Sequence, residues 1–153
     1  MQYLVDLFRY SDAAAAKVMK AMRTVDEQKF LNEKVSGIGS LRDLIVHIIG
    51  VEDYWINSVV RKQDFERYKP EDFTGGTGIE EAWMKITGDI RMLLDSLTLE
   101  MLTEQRTVKW DKEYSFSVEK ILQHLYTHTV HHRGQAVAAI RLLGGEVPEV
   151  DII

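Results

Sequence analysis

The sequence contains no cysteine. Disulfides, thiolate metal ligands, a cysteine nucleophile and covalent haem attachment are all excluded, so any metal must be held by nitrogen and oxygen. Thiol chemistry would need a thiol brought by a substrate. Proline is scarce too: Pro70 and Pro148 are the only two, and both fall outside the periodic segments. A basic tract is missing, and the formal net charge of −5 gives a nucleic-acid partner no electrostatic support. No apolar run approaches the roughly 18 residues of a membrane span. The opening residues, Met1 to Asp6, lack a signal peptide's basic start and long apolar stretch. The expectation is a cytoplasmic protein with no membrane or nucleic-acid partner.

Several catalytic signatures are also missing. There is no Glu-x-x-His, His-Glu-x-x-His or Gly-x-Ser-x-Gly, and no phosphate-binding glycine loop. The first absence removes the di-iron carboxylate bundle, and the others remove zincin, serine-hydrolase and nucleotide sites. What remains is an ordinary globular composition, 45% hydrophobic and 28% charged. At 153 residues it suits one domain, 1–153, with a full core.

Four amphipathic helices are predicted, so the expected fold is all-α, a four-helix bundle. The first spans Gln2 to Val25, with a seam of Leu4, Phe8, Ser11, Ala15, Val18 and Met22. Residues 26–39 form a connector. Ser40 opens the second helix, with Asp43 completing an acidic capping box, and its buried arc holds Leu44, His47, Ile48, Val51 and Trp55. Residues 61–77 carry no helical period. A connection this long suggests a crossover along the bundle between parallel helices two and three. The third helix follows Thr77, with Glu80 as its capping partner, and buries Ile79, Trp83, Ile86, Ile90, Leu93 and Leu97. Residues 107–116 suggest a short β-hairpin around Asp111–Glu113. Ser117 caps the fourth helix, which stops at Gly144 and Gly145.

Four of the five histidines crowd into that last helix. On a wheel of about 100° per residue with His128 at zero, His132 falls near +40°, His124 near −40° and His131 near −60°. The apolar residues Ile121, Leu122, Leu125, Ala136 and Ile140 occupy an overlapping arc. His128 and His132 therefore point inward one turn apart, while His124 and His131 lie at the margin. A lone inward histidine is commonly a core residue bonded to a carbonyl. Two at i and i+4 can bring their nitrogens to one ion, and His47 supplies a third from the second helix. Three ligands and an open position is the pattern of catalytic rather than structural zinc. Zinc, nickel and ferrous iron all accept imidazole.

Most neighbouring residues carry two readings. Gln135 lies beside the ligand arc and can orient a ligand or substrate, or be a surface amide. His124 is a substrate-facing catalytic candidate or a marginal histidine. His131 reads as structural. Asp43 reads as a cap first and an imidazole partner second. Arg133, opposite the ligand face, suits a salt bridge or dimer contact. Thr127, Gly134 and Ala138 make a small-residue stripe that another helix could approach.

The chain resembles the DinB-like (DinB/YfiT) family of bundle proteins. The likeness rests on Gly39-Ser40-Leu41-Arg42-Asp43-Leu44 leading to His47, Glu52 and Trp55. It continues in His128-Thr129-Val130-His131-His132-Arg133-Gly134-Gln135 and in Leu142-Leu143-Gly144-Gly145-Glu146-Val147-Pro148 with Asp151. The resemblance implies a bundle with a long connection between helices two and three, a homodimer, and a divalent metal on His47, His128 and His132. It also implies a link to enzymes that transfer or isomerise with a low-molecular-weight thiol as co-substrate. The leading expectation is a metal-dependent, thiol-dependent S-transferase acting on a small electrophilic molecule. The alternatives are a metal-dependent hydrolase, or a non-enzymatic, stress-related metal or small-molecule binding protein.

Overall fold

Each long helix forms where an apolar stripe recurs at helical spacing, and each stripe is buried as the wheel requires. The computed structural model describes residues 1–65 and 67–152. Helix α1 (Gln2–Met22) buries Phe8, Ser11, Ala15, Val18 and Met22. A short helix, α2 (Glu27–Asn32), is capped by the Asp26 side chain, which accepts from the Lys29 N–H. Helix α3 (Leu41–Asp53) continues as a π-helical stretch, Tyr54–Val60. After a 3₁₀ turn at Pro70–Asp72 come α4 (Gly76–Asp95) and the short α5 (Leu99–Thr103). Strands β1 (Gln105–Lys109) and β2 (Glu113–Ser117) form an antiparallel hairpin, and α6 (Val118–Leu142) closes the chain.

Pairwise contacts fix the direction of the four long helices. Arg23 pairs with Glu80 and Asp12 with Arg91, so α1 and α4 run antiparallel. Ser11 accepts from Arg133, and Thr24 accepts from the Glu146 N–H just past α6, so α1 and α6 run together. His47 meets His132, Glu52 meets Thr129 and Trp55 meets His124, so α3 opposes α6. Helices α3 and α4 are therefore parallel, and the long connection between them is the expected crossover. Their apolar stripes merge into one core around Leu44, Ile48, Trp83, Ile121 and Leu125.

The capping box at the head of α3 forms as expected. Ser40 Oγ accepts from the Asp43 N–H, and the Asp43 carboxylate accepts from the Ser40 N–H. Gly39 makes this possible. Its φ is 140°, and a Cβ there would lie 2.2 Å from the Asp43 carboxylate. At the far end of the chain, Gly144 takes the left-handed conformation (φ 84°) that terminates α6.

Three expectations are corrected. The connector 26–39 contains α2, and α5 precedes the hairpin; their 6 and 5 residues are too few to show a helical period. Thr77 does not cap α4: the N-cap is Gly75, and Glu80 turns instead to Arg23. The hairpin turn is Trp110–Lys112, with Glu113 already paired opposite Lys109. Among the described residues, no helix is long and apolar enough to cross a membrane.

Candidate metal centre

Antiparallel packing of α3 on α6 brings His47 against His128 and His132. His47 Nε2 lies 3.2 Å from His128 Nε2. Ring centroids are 4.3 Å apart for His128 and His132, and 4.7 Å for His47 and His132. One nitrogen from each ring lies within 4.8 Å of the other two. Tetrahedral ligands about 2.0–2.1 Å from zinc stand roughly 3.3 Å apart, so the closest pair already has ligand spacing. The three rings can hold an ion between them.

The protonation of the cluster suits that task. Burial, reinforced by repulsion from His132 and His47, holds the His128 imidazole down to about 3. Burial also lowers His47, with His132 and Arg67 adding to the effect. Both rings are therefore neutral at pH 7 and keep a lone pair. His128 Nδ1 is buried with no hydrogen-bond partner among the described residues. With Nε2 facing His47 at 3.2 Å and Nδ1 unpaired among the described residues, His128 is not locked into a closed polar core, which fits a centre built for a cation.

Gln135 binds the cluster from outside. Its Oε1 lies 2.8 Å from His132 Nδ1. An amide oxygen only accepts, so the proton sits on Nδ1 and Nε2 is left free. The Gln135 amide nitrogen approaches His131 Nε2 at 3.2 Å, which occupies that ring and leaves it outside the trio. His124 stands apart as well. It is exposed, with its ring 5.8 Å from His128 and 5.5 Å from Trp55, and burial lowers its pKa before nearby Lys120 does. Asp43 serves its cap and pairs with Arg42, and among the described residues it makes no hydrogen bond to an imidazole.

Beside His47 opens a cleft of about 750 Å³. Tyr54, Trp55, Tyr68 and Trp110 give it aromatic walls, and its charges are mixed, Arg42 and Arg67 against Asp43 and Glu71. The π-helical stretch begins at Tyr54, where Trp55 turns its ring edge to Trp110 and His124. Trp110, 53% exposed at the hairpin turn, was legible only as a strand residue. Its size at an exposed turn was the available signal. Arg67 carried no signal, because nothing periodic surrounds it.

Arg133 is not the surface group expected. It is 2% exposed, donates to the Ser11 carbonyl and hydroxyl and lies over the Tyr10 ring. Glu52 is buried beside it, accepting from Thr129 Oγ1 at 2.9 Å. Burial raises the Glu52 carboxyl to about 7 against the lowering influence of Thr129 and Arg133.

Comparison with known proteins agrees with this architecture. The YizA protein of Bacillus subtilis strain 168 is 23% identical over 108 residues, 71% of this chain and 67% of YizA. A solved DinB-like protein from Bacillus cereus ATCC 10987 superposes with a TM-score of 0.75 at 19% identity, covering 99% of this chain and 97% of that one. The DinB-like protein YjoA of Bacillus subtilis gives 0.69 at 14% identity, covering 99% of both. At these identities the solved structures establish a shared fold. The DinB family model matches residues 1–153, the whole sequence, and the chain belongs to the DinB family.

Proposed function

We propose that the protein is a metal-dependent enzyme, working as one domain, whose three-histidine centre serves transfer of a low-molecular-weight thiol to a small electrophilic molecule. The convergence of His47, His128 and His132 beside an aromatic cleft carries this reading. A divalent ion (zinc, nickel or iron) bound there supplies positive charge that favours a thiolate or hydroxide at neutral pH. The chain has no cysteine of its own, which suits a thiol that arrives as co-substrate.

The remaining roles fall to this chain's residues. Gln135 positions His132 by fixing its tautomer. Trp55 and Trp110 exclude water and face apolar parts of the substrate, while Arg67 receives an anionic group. In the transfer, sulfur bonds to the electrophilic carbon as the leaving group departs with its electron pair. His124, exposed beside Trp55, takes the thiol proton. The exposed stripe of Thr127, Gly134 and Ala138 offers a close-packing face for a homodimer, and we place the protein in the cytoplasm.

Purified protein, loaded with each metal in turn, is assayed with low-molecular-weight thiols and a chloro-nitroarene. Conjugation that requires both metal and thiol is the expected result. Thiol-independent ester or amide cleavage would make it a hydrolase, and metal-dependent ligand binding without turnover would make it a binding protein.

A further inference from the structure

On another side of α3 from the histidines, α1, α3 and α4 enclose a second cavity of about 190 Å³. It shares no lining residue with the cleft beside His47. Phe8, Trp83, Ile90 and Leu94, all buried, form its walls. An apolar cavity of about 150 Å³ accommodates benzene, so this one takes a single ring with a short substituent.

Its floor is polar. Glu52, only 6% exposed, lines the cavity. Oε1 of its carboxyl is occupied by Thr129. Oε2 has no hydrogen-bond partner among the described residues, yet it is not a sealed atom. In a side chain this buried, the surface it keeps opens into the cavity. A desolvated carboxyl oxygen aimed into an apolar chamber is costly unless a donor meets it.

Charge selects the donor. Arg133 is committed to Ser11 and Tyr10 and does not line the cavity. The two cations at the mouth are already paired, Arg9 with Asp6 and Arg91 with Asp12. Asp95, exposed at the same mouth, has no ion pair among the described residues. Neither Glu52 at the floor nor Asp95 at the mouth has an ion-pair partner among the described residues, and aromatic rings such as the lining Phe8 and Trp83 also favour a cation. We propose that this cavity binds a small primary ammonium compound with an apolar body of about one ring, its ammonium received by Glu52.

The full-length protein is titrated at pH 8 with benzylamine, benzyl alcohol and benzoate. Binding is read at the Trp83 indole N–H resonance, assigned with Trp83→Phe. Trp55 and Trp110 line the other cleft and report any binding there. Benzylamine should shift Trp83 saturably, with a Kd about tenfold or more below that of benzyl alcohol, as a charge-assisted hydrogen bond requires. Benzoate should leave the resonance in place. Glu52→Gln keeps the shape and should erase the preference for the amine. Equal affinity for amine and alcohol, a shift confined to Trp55 and Trp110, or no saturable shift would overturn the proposal. So would an unchanged preference in Glu52→Gln. The wild-type series decides the matter even where that variant fails to fold.

Discussion

Two polar clusters sit on the same pair of helices and have opposite character. His47 and His128 contribute to one; Glu52 and Thr129, a few positions along α3 and one residue along α6, contribute to the other. The histidine cluster is half-buried, holds the His47 and His128 imidazoles below their ordinary pKa by burial, and leaves His128 Nδ1 without a partner among the described residues. The second cluster joins Glu52 to Thr129 and Arg133 to Ser11, tying α3 to α6 and α6 to α1. One residue along a helix turns a side chain by about 100°, enough to separate a binding centre from a structural tie. The difference predicts a double dissociation. Damage to the tie should cost stability and spare metal, whereas damage to the histidines should cost metal and spare the unliganded fold.

The largest stability effect should come from Arg133→Met. It leaves the Ser11 carbonyl and hydroxyl without their charged donor and removes the cation over the Tyr10 ring, at a cost of about 3–4 kcal/mol. Urea denaturation of metal-free protein measures it, and metal bound per folded chain should be unchanged.

Next comes the pH dependence of Glu52. Its carboxyl is raised from 4.5 to about 7 in the fold, so between these values the folded state holds a proton that the unfolded state has released. Its contribution to stability is therefore fullest below pH 4.5 and falls as pH rises through 7, by about 3 kcal/mol in all. Glu52→Gln should flatten that slope in denaturation curves recorded from pH 4.5 to 8. An identical slope in the variant would mean that another group carries it.

Gln135→Ala sharpens the comparison from the other side. Losing the partner that fixes the tautomer of His132 should weaken metal affinity about 10–100-fold, measured by competition with a chromogenic chelator. Metal-free stability should barely move. The smallest effect is expected for His131→Ala, which removes an exposed ring that meets Gln135 and the edge of His132 and should leave metal affinity within about threefold of wild type, less than a full partner loss.

Much of the histidine centre was legible in the sequence because helical spacing alone places His47, His128 and His132 on inward arcs. Gln135 was visible for the same reason. Arg133 was misplaced although its angle was right. The wheel set it opposite the ligands, but α6 packs against α1 as well as α3, so that opposite face is core rather than solvent. Glu52 entered only through the family likeness, with no role attached, since only the neighbouring helix reveals its burial. The π-helical turn from Tyr54 left no trace, because a shift in the backbone hydrogen-bond ladder need not change which residue types recur. The long connection was readable as a crossover from its length, but the aromatic cleft that it helps to line was not.

Elemental analysis of the wild type, His47→Ala and His131→Ala, paired with melting curves with and without added metal, tests the central claim most directly. The wild type and His131→Ala should hold about one divalent ion per chain. Each should gain about 2.7 kcal/mol of stability at a free-metal concentration 100 times the Kd. His47→Ala should lose both the ion and the gain while folding normally without metal. Full metal content in His47→Ala, with the same metal-dependent rise in Tm, would contradict the three-histidine centre and make His124 the next ligand to test.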